Sequence, residues 1–190
     1  MINKNAICFT LVILVIACIW CFPACNDPEP VNPEELITNL EITFIPDGSG
    51  DAKVFRFIDP DGDGGNTPQI TADTLSPNTW YSVQLEVLNT SLSPPDTITQ
   101  EIKAEAEAHQ FFYQVSAGLH ISFTYADADA DGKPIGVSMR AQTGAPSTGQ
   151  LIVTLRHEPD KNAPGVANGD ITNAGGDTDI EVVFSVVIQN

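Results

Sequence analysis

The sequence predicts an all-β protein, an antiparallel β-sandwich of Ig-like type with about eight or nine strands and one short helical crossover. Two observations carry that expectation. Apolar and polar residues alternate at period two through run after run, which marks half-buried strands. Gly, Asp, Asn and Pro separate those runs at regular intervals, as turns between antiparallel strands require.

Taken in order, Leu36 to Ile45 places Leu40, Ile42 and Phe44 on one face, and Lys53 to Ile58 sets Val54 against Phe55 and Phe57. Trp80 to Leu88 alternates Tyr81, Val83, Leu85 and Val87. Phe111 to Val115, Leu119 to Tyr125, Ile135 to Ala141, Leu151 to Arg156 and Ile180 to Ile188 continue the series. The first two of these five, if they form a hairpin, place its turn beside His120 and His109 at the other end. Within Asp96 to His109 the pattern changes to DTITQEIKAEAEAH, a run of strong helix formers with Asp96 as N-cap. This segment is the expected crossover, over residues 97–108. The connection from Glu158 to Asp179 is long and rich in Gly, Asn, Asp and Pro, which makes it a candidate functional loop.

Residues 1–24 read as a lipoprotein signal peptide, residues 25–35 as an acidic, proline-rich tether, and residues 36–190 as a single domain. Lys4 precedes an apolar run from Ala6 to Phe22 that ends in Pro23-Ala24-Cys25. A cysteine at the cut is the site of acylation and becomes the new N-terminus. Val15-Ile16-Ala17-Cys18 offers a second cut, but cleavage there leaves Ile19-Trp20-Cys21-Phe22 on the tether, so Cys25 is favoured. All four cysteines lie in this region, and cleavage at Cys25 excludes both a disulfide framework and a thiolate zinc site in the mature chain.

The formal net charge is −17. The leader carries Lys4 and no acidic residue, so its removal leaves −18. Such a chain is repelled by nucleic acid phosphates and anionic head groups, and nucleic acid is excluded as a partner. Cations, or a basic face on another protein, are the natural counterparts.

Two turns follow the spacing D-x-D-x-D-G: Asp59, Asp61 and Asp63 before Gly64, and Asp127, Asp129 and Asp131 before Gly132. Alternating carboxylates around a glycine turn converge oxygens on a hard cation, and Asn66 offers the first turn another oxygen, so calcium is the candidate cofactor. Ile70 and Ser138 stand at the twelfth positions, where an EF-hand has glutamate, so neither turn is an EF-hand. Asp and Gly are also the ordinary residues of tight turns. Of the three histidines, His120 sits beside the turn between the runs 111–115 and 119–125 if those runs pair. His109 and His157 lie at strand ends and, with a carboxylate such as Glu158 or Asp160, form a transition-metal set if those ends meet.

Catalytic signatures are missing. The chain has no G-x-S-x-G elbow, no phosphate-cradling glycine motif and no free cysteine beyond the leader, so it is read as non-enzymatic. Trp80, Tyr81, Phe111, Phe112 and Tyr113 suggest a sugar platform by type, but they fall on strand runs, where most belong to the core. The doublet Phe111-Phe112 sends one ring to each face.

The sequence C-N-D-P-E-P-V-N-P-E-E-L-I from Cys25, followed by DPDGDG, AHQFFYQ, TLRHEPDK and NGDITNAGGDTDIEV, resembles a family of small flavobacterial (Bacteroidetes) lipoproteins over essentially the whole chain. Its members often carry the label "type 1 periplasmic binding fold superfamily protein". The paired α/β lobes of that fold require alternating strands and helices that this chain lacks. The resemblance implies a Gram-negative envelope location, lipid-anchored to the outer membrane. It also implies that Asp27, Glu29, Glu34 and Glu35 act as a surface-export signal, and that Thr74 and Thr97 lie in Asp-Thr-aliphatic O-glycosylation sequons. The expected function is a membrane-anchored ligand- or partner-binding module, accessory to an outer-membrane TonB-dependent transporter. Two alternatives stand beside it: an envelope module rigidified by calcium, and a transition-metal capture protein.

Overall fold

A computed structural model describes residues 36–62 and 65–190, all within one compact unit. The leader, the tether, Cys25 and Asp63 lie outside the described residues. The chain forms β1 (Asn39–Pro46), β2 (Lys53–Ile58), β3 (Gln69–Ala72), β4 (Trp80–Leu88), α1 (Ile98–Ala104), β5 (His109–Val115), β6 (Ile121–Tyr125), β7 (Ser138–Thr143), β8 (Ser147–His157) and β9 (Asp177–Ile188). Two antiparallel sheets result, one of six strands in the order β3-β2-β1-β4-β7-β6 and one of three in the order β5-β8-β9. The all-β sandwich is therefore the fold.

Alternation decides which residues fill it. Leu40, Ile42 and Phe44 from β1 and Tyr81, Val83, Leu85 and Val87 from β4 are all buried. They meet Leu151, Val153 and Leu155 of β8 and Val182, Phe184 and Val186 of β9 in one continuous core. Aromatic rings bridge the layers: Phe55 and Phe184 lie 5.5 Å apart, and Tyr113 stacks on Phe123 at 5.0 Å. Each fully buried ring contributes about 1.5–3 kcal/mol through removal of apolar surface from water.

The structure adds one strand beyond those expected and settles two further points differently. Strand β3 follows no alternation, because Gln69, Ile70 and Thr71 are all exposed and only edge pairing with β2 defines it. The segments 111–115 and 119–125 do not form a hairpin. Strand β5 pairs with β8 and β6 with β7, so the chain crosses between the sheets at that point. The helical crossover is present, but Thr97 caps it in place of Asp96, and without a side-chain hydrogen bond.

Helix α1 is held by Ile98 and Ile102, both buried, and by Thr99. The Thr99 hydroxyl accepts from Val87 N at 2.7 Å and donates to Val87 O at 3.1 Å. A 3₁₀ turn, Ala106–Ala108, then leads directly into β5.

The long connection after β8 folds back over the outer face of the three-stranded sheet. Phe112 points outward there and is fully buried beneath Val166 and Ala174, with Ala163 and Ile171 beside them. The two rings of the doublet thus serve two cores. Lys161 fastens the same cover: its Nζ, with only 5% of the side chain exposed, donates to Asp129 Oδ2 at 2.9 Å and to the carbonyls of Ala106 and Pro134.

Candidate metal centre

His109 opens β5 and His157 closes β8, and antiparallel register sets them directly opposite one another. Both side chains lie on the core-facing side of the small sheet, because His109 shares a face with Phe111 and His157 with Leu155. Their imidazoles stack with centroids 4.8 Å apart and planes 7° from parallel. The strand ends therefore meet, as the candidate metal set requires.

The third member is Asp179, which sequence reasoning missed. Along most of its length β9 pairs residue for residue with β8, as in Leu155 opposite Ile180. The next pair is Arg156 opposite Thr178, so Asp179 is one additional residue in the strand. A bulge of this kind re-aims a side chain, and here the Asp179 carboxylate comes to the two imidazoles. Ligand atoms of His109, His157 and Asp179 all lie within 4.8 Å of one another. Glu158 and Asp160, the carboxylates expected from sequence, are exposed in the turn after β8, and Asp160 Oδ1 accepts from Asn162 N.

The surroundings prepare one imidazole. His109 is 1% exposed, and its Nδ1 lies 3.0 Å from the carbonyl oxygen of Glu105, at the end of α1. A carbonyl only accepts, so Nδ1 carries the proton and Nε2 presents its lone pair. This is the outer-shell hydrogen bond that orients metal-binding histidines. His157 is only half-buried, and Asp179 also lines a cleft of about 470 Å³ with Leu36, Phe57, Asp59, Thr178 and Glu181. The cleft gives the carboxylate access to solvent.

The strand end itself is tightly built. Gly176, at φ 68°, passes so near His157 that a Cβ there would lie 2.1 Å from the His157 carbonyl oxygen. Arg156 Nη1 donates to the Gly176 carbonyl across the same junction at 3.2 Å.

A tetrahedral zinc ion with bonds of ~2.0–2.1 Å holds its ligand atoms about 3.3 Å apart. Parallel stacked rings also aim their lone pairs side by side instead of at one point. Binding therefore requires His157, the more exposed of the pair, to turn out of the stack while His109 stays fixed. Two imidazoles and one carboxylate suit zinc, iron or copper far better than calcium, and three protein ligands leave one position for water.

The Asp-rich turns have other partners. Asp127 accepts from Gly136 N and Ser138 N, one bond to each oxygen. Asp129 Oδ1 accepts from Asp131 N and Lys133 N, and its Oδ2 holds Lys161. A lysine ammonium thus already sits on the carboxylate at the centre of the second turn. In the first, Asp61 Oδ2 accepts from the Asn66 side-chain amide at 2.7 Å, which makes Asn66 a donor where sequence offered it as an oxygen ligand. Asp59 is buried beside the cleft. Both turns link paired strands, β2 to β3 and β6 to β7, and serve as hairpin connections. His120 stands apart, exposed, with Nδ1 near the Ala145 carbonyl. Of the two sequon threonines, Thr74 is exposed and Thr97 is half-buried at the start of α1.

No family model, curated protein or solved structure matches this chain.

Proposed function

We propose that this protein is a non-enzymatic envelope lipoprotein, tethered through Cys25, whose β-sandwich captures a transition-metal ion on His109, His157 and Asp179. The single observation that carries this reading is the convergence of those three side chains. Strand register brings the two imidazoles together, and a bulge adds the carboxylate. The leader sequence supports the tether, and the acidic charge of the mature chain favours a cationic cargo. Delivery to an outer-membrane transporter fits the same reading. Calcium rigidification is the weaker alternative, because hydrogen bonds from backbone, Asn66 and Lys161 already engage Asp127, Asp129 and Asp61.

Calorimetric titration of the full-length protein with zinc and, separately, with calcium tests the proposal. The expected result is one zinc site per chain, with affinity reduced at least about tenfold by His157→Ala and by Asp179→Asn, or about 1.4 kcal/mol for each. Zinc binding that neither substitution alters, or heat only with calcium, refutes it.

A further inference from the structure

The outer face of the six-stranded sheet carries a second, unrelated arrangement of side chains. Strand register places Trp80, Gln142 and Ser122 in one row across β4, β7 and β6. Ile45, Ser82, Arg140 and Thr124 make the next row, and Thr43, Gln84 and Ser138 the one after. The indole of Trp80 is 45% exposed, whereas its neighbour Tyr81 is buried on the opposite face. Four strands at about 4.8 Å spacing make this surface about 14 Å wide, enough for a short run of sugar rings.

We propose that this face binds a neutral polysaccharide chain. An exposed indole offers a flat apolar surface to the C–H face of a pyranose ring. Around it stand the groups that recognise hydroxyls: the amides of Gln84 and Gln142, the hydroxyls of Ser82, Ser122 and Thr124, and a guanidinium. Arg140 is fixed for that role. Its guanidinium lies 5.5 Å from the Trp80 ring centroid, binds the Asp47 carboxylate through both Nη atoms, and donates to Ser82 Oγ at 2.8 Å. Ordering cost on binding is small for groups already held in place.

Charge selects the class of ligand. The chain as a whole is strongly acidic, but on this face Arg140 pairs with Asp47 and Arg56 with Glu41, and the exposed Glu86, opposite Glu41 in the register, lies at the far end of β4 from Trp80. The surface around Trp80 is therefore close to neutral, and it suits a polyhydroxylated chain without charge. A nucleic acid would also stack on the indole, but its phosphates would meet the acidic remainder of the domain. A protein hot spot of Trp and Arg is normally ringed by apolar contacts. Here Ile45 is the one large apolar neighbour in the rows, and the rest are amides and hydroxyls.

Native affinity electrophoresis of the full-length protein in gels containing laminarin, mannan, xylan, amylopectin or, as an acidic control, pectin tests this. The expected result is retardation by at least one of the four neutral polymers. Trp80→Ala should remove it, and Gln142→Ala should weaken the apparent Kd about tenfold, with thermal midpoints unchanged for both. Should Trp80→Ala fail to fold, the exposed Gln142→Ala variant carries the test alone. No retardation by any neutral polymer, retardation by pectin alone, or equal retardation of wild type and variants overturns the proposal.

Discussion

Lys161 shows how much one residue decides. Its ammonium is buried against Asp129 and two backbone carbonyls, and it joins the α1–β5 junction, the β6–β7 turn and the cover over Phe112. Removing one partner of a buried pair strands the other charge, at about 3–5 kcal/mol. Lys161→Ala should lower the unfolding free energy by about that amount in urea titration. Burial opposes ionisation of Asp129, but hydrogen bonds from Lys161 and the Lys133 backbone outweigh it and hold its pKa below the ordinary 3.8. A carboxylate whose folded pKa is lowered adds stability that is complete above its unfolded value and lost as pH falls through the folded one. Wild-type stability should therefore decline as pH drops below 3.8, and the decline should flatten in Asp129→Asn. Denaturation midpoints measured across that range check both statements.

Elements position what the residues then do. The α1 crossover ends where β5 begins, so the Glu105 carbonyl reaches the His109 ring. The β9 bulge supplies Asp179, and Gly176 lets the returning chain pass against His157. Gly176→Ala should both lower stability and weaken zinc binding, since the added methyl drives the chain off the β8 end, and paired melting and titration experiments measure the two effects together. Phe112→Ala should cost about 3–5 kcal/mol and expose the 158–176 cover to limited proteolysis, because that ring is the centre of its small core. Most strands were legible from alternation, since Leu40, Ile42 and Phe44 or Tyr81, Val83 and Leu85 leave little choice of face. Strand β3 was hidden because an exposed edge strand has no face to alternate. Strand partners were hidden too: alternation records which side is buried, not which neighbour lies beside it. For the same reason His109 and His157 could be seen as strand ends, whereas Asp179 could not be assigned. The only trace of its bulge is the polar run Asp177-Thr178-Asp179 before the apolar half of β9, and a one-residue slip leaves no other mark.

At the scale of the whole molecule, leader, charge and site point the same way. A lipid at Cys25 would hold a mature chain of charge −18 close to a membrane, where a cation is the ligand its field attracts. Cys25→Ala should abolish incorporation of radiolabelled palmitate, and persistence of the label would move the acylation to Cys18. The central claim is that His109, His157 and Asp179 bind one metal ion together. Anomalous diffraction from crystals of the full-length protein grown with zinc tests it most directly. The expected result is a zinc peak within about 2.0–2.2 Å of His109 Nε2, a His157 ring nitrogen and an Asp179 oxygen, with the His157 ring turned out of its stack. A map with no peak there, or with zinc bound only at the Asp-rich turns, would contradict it.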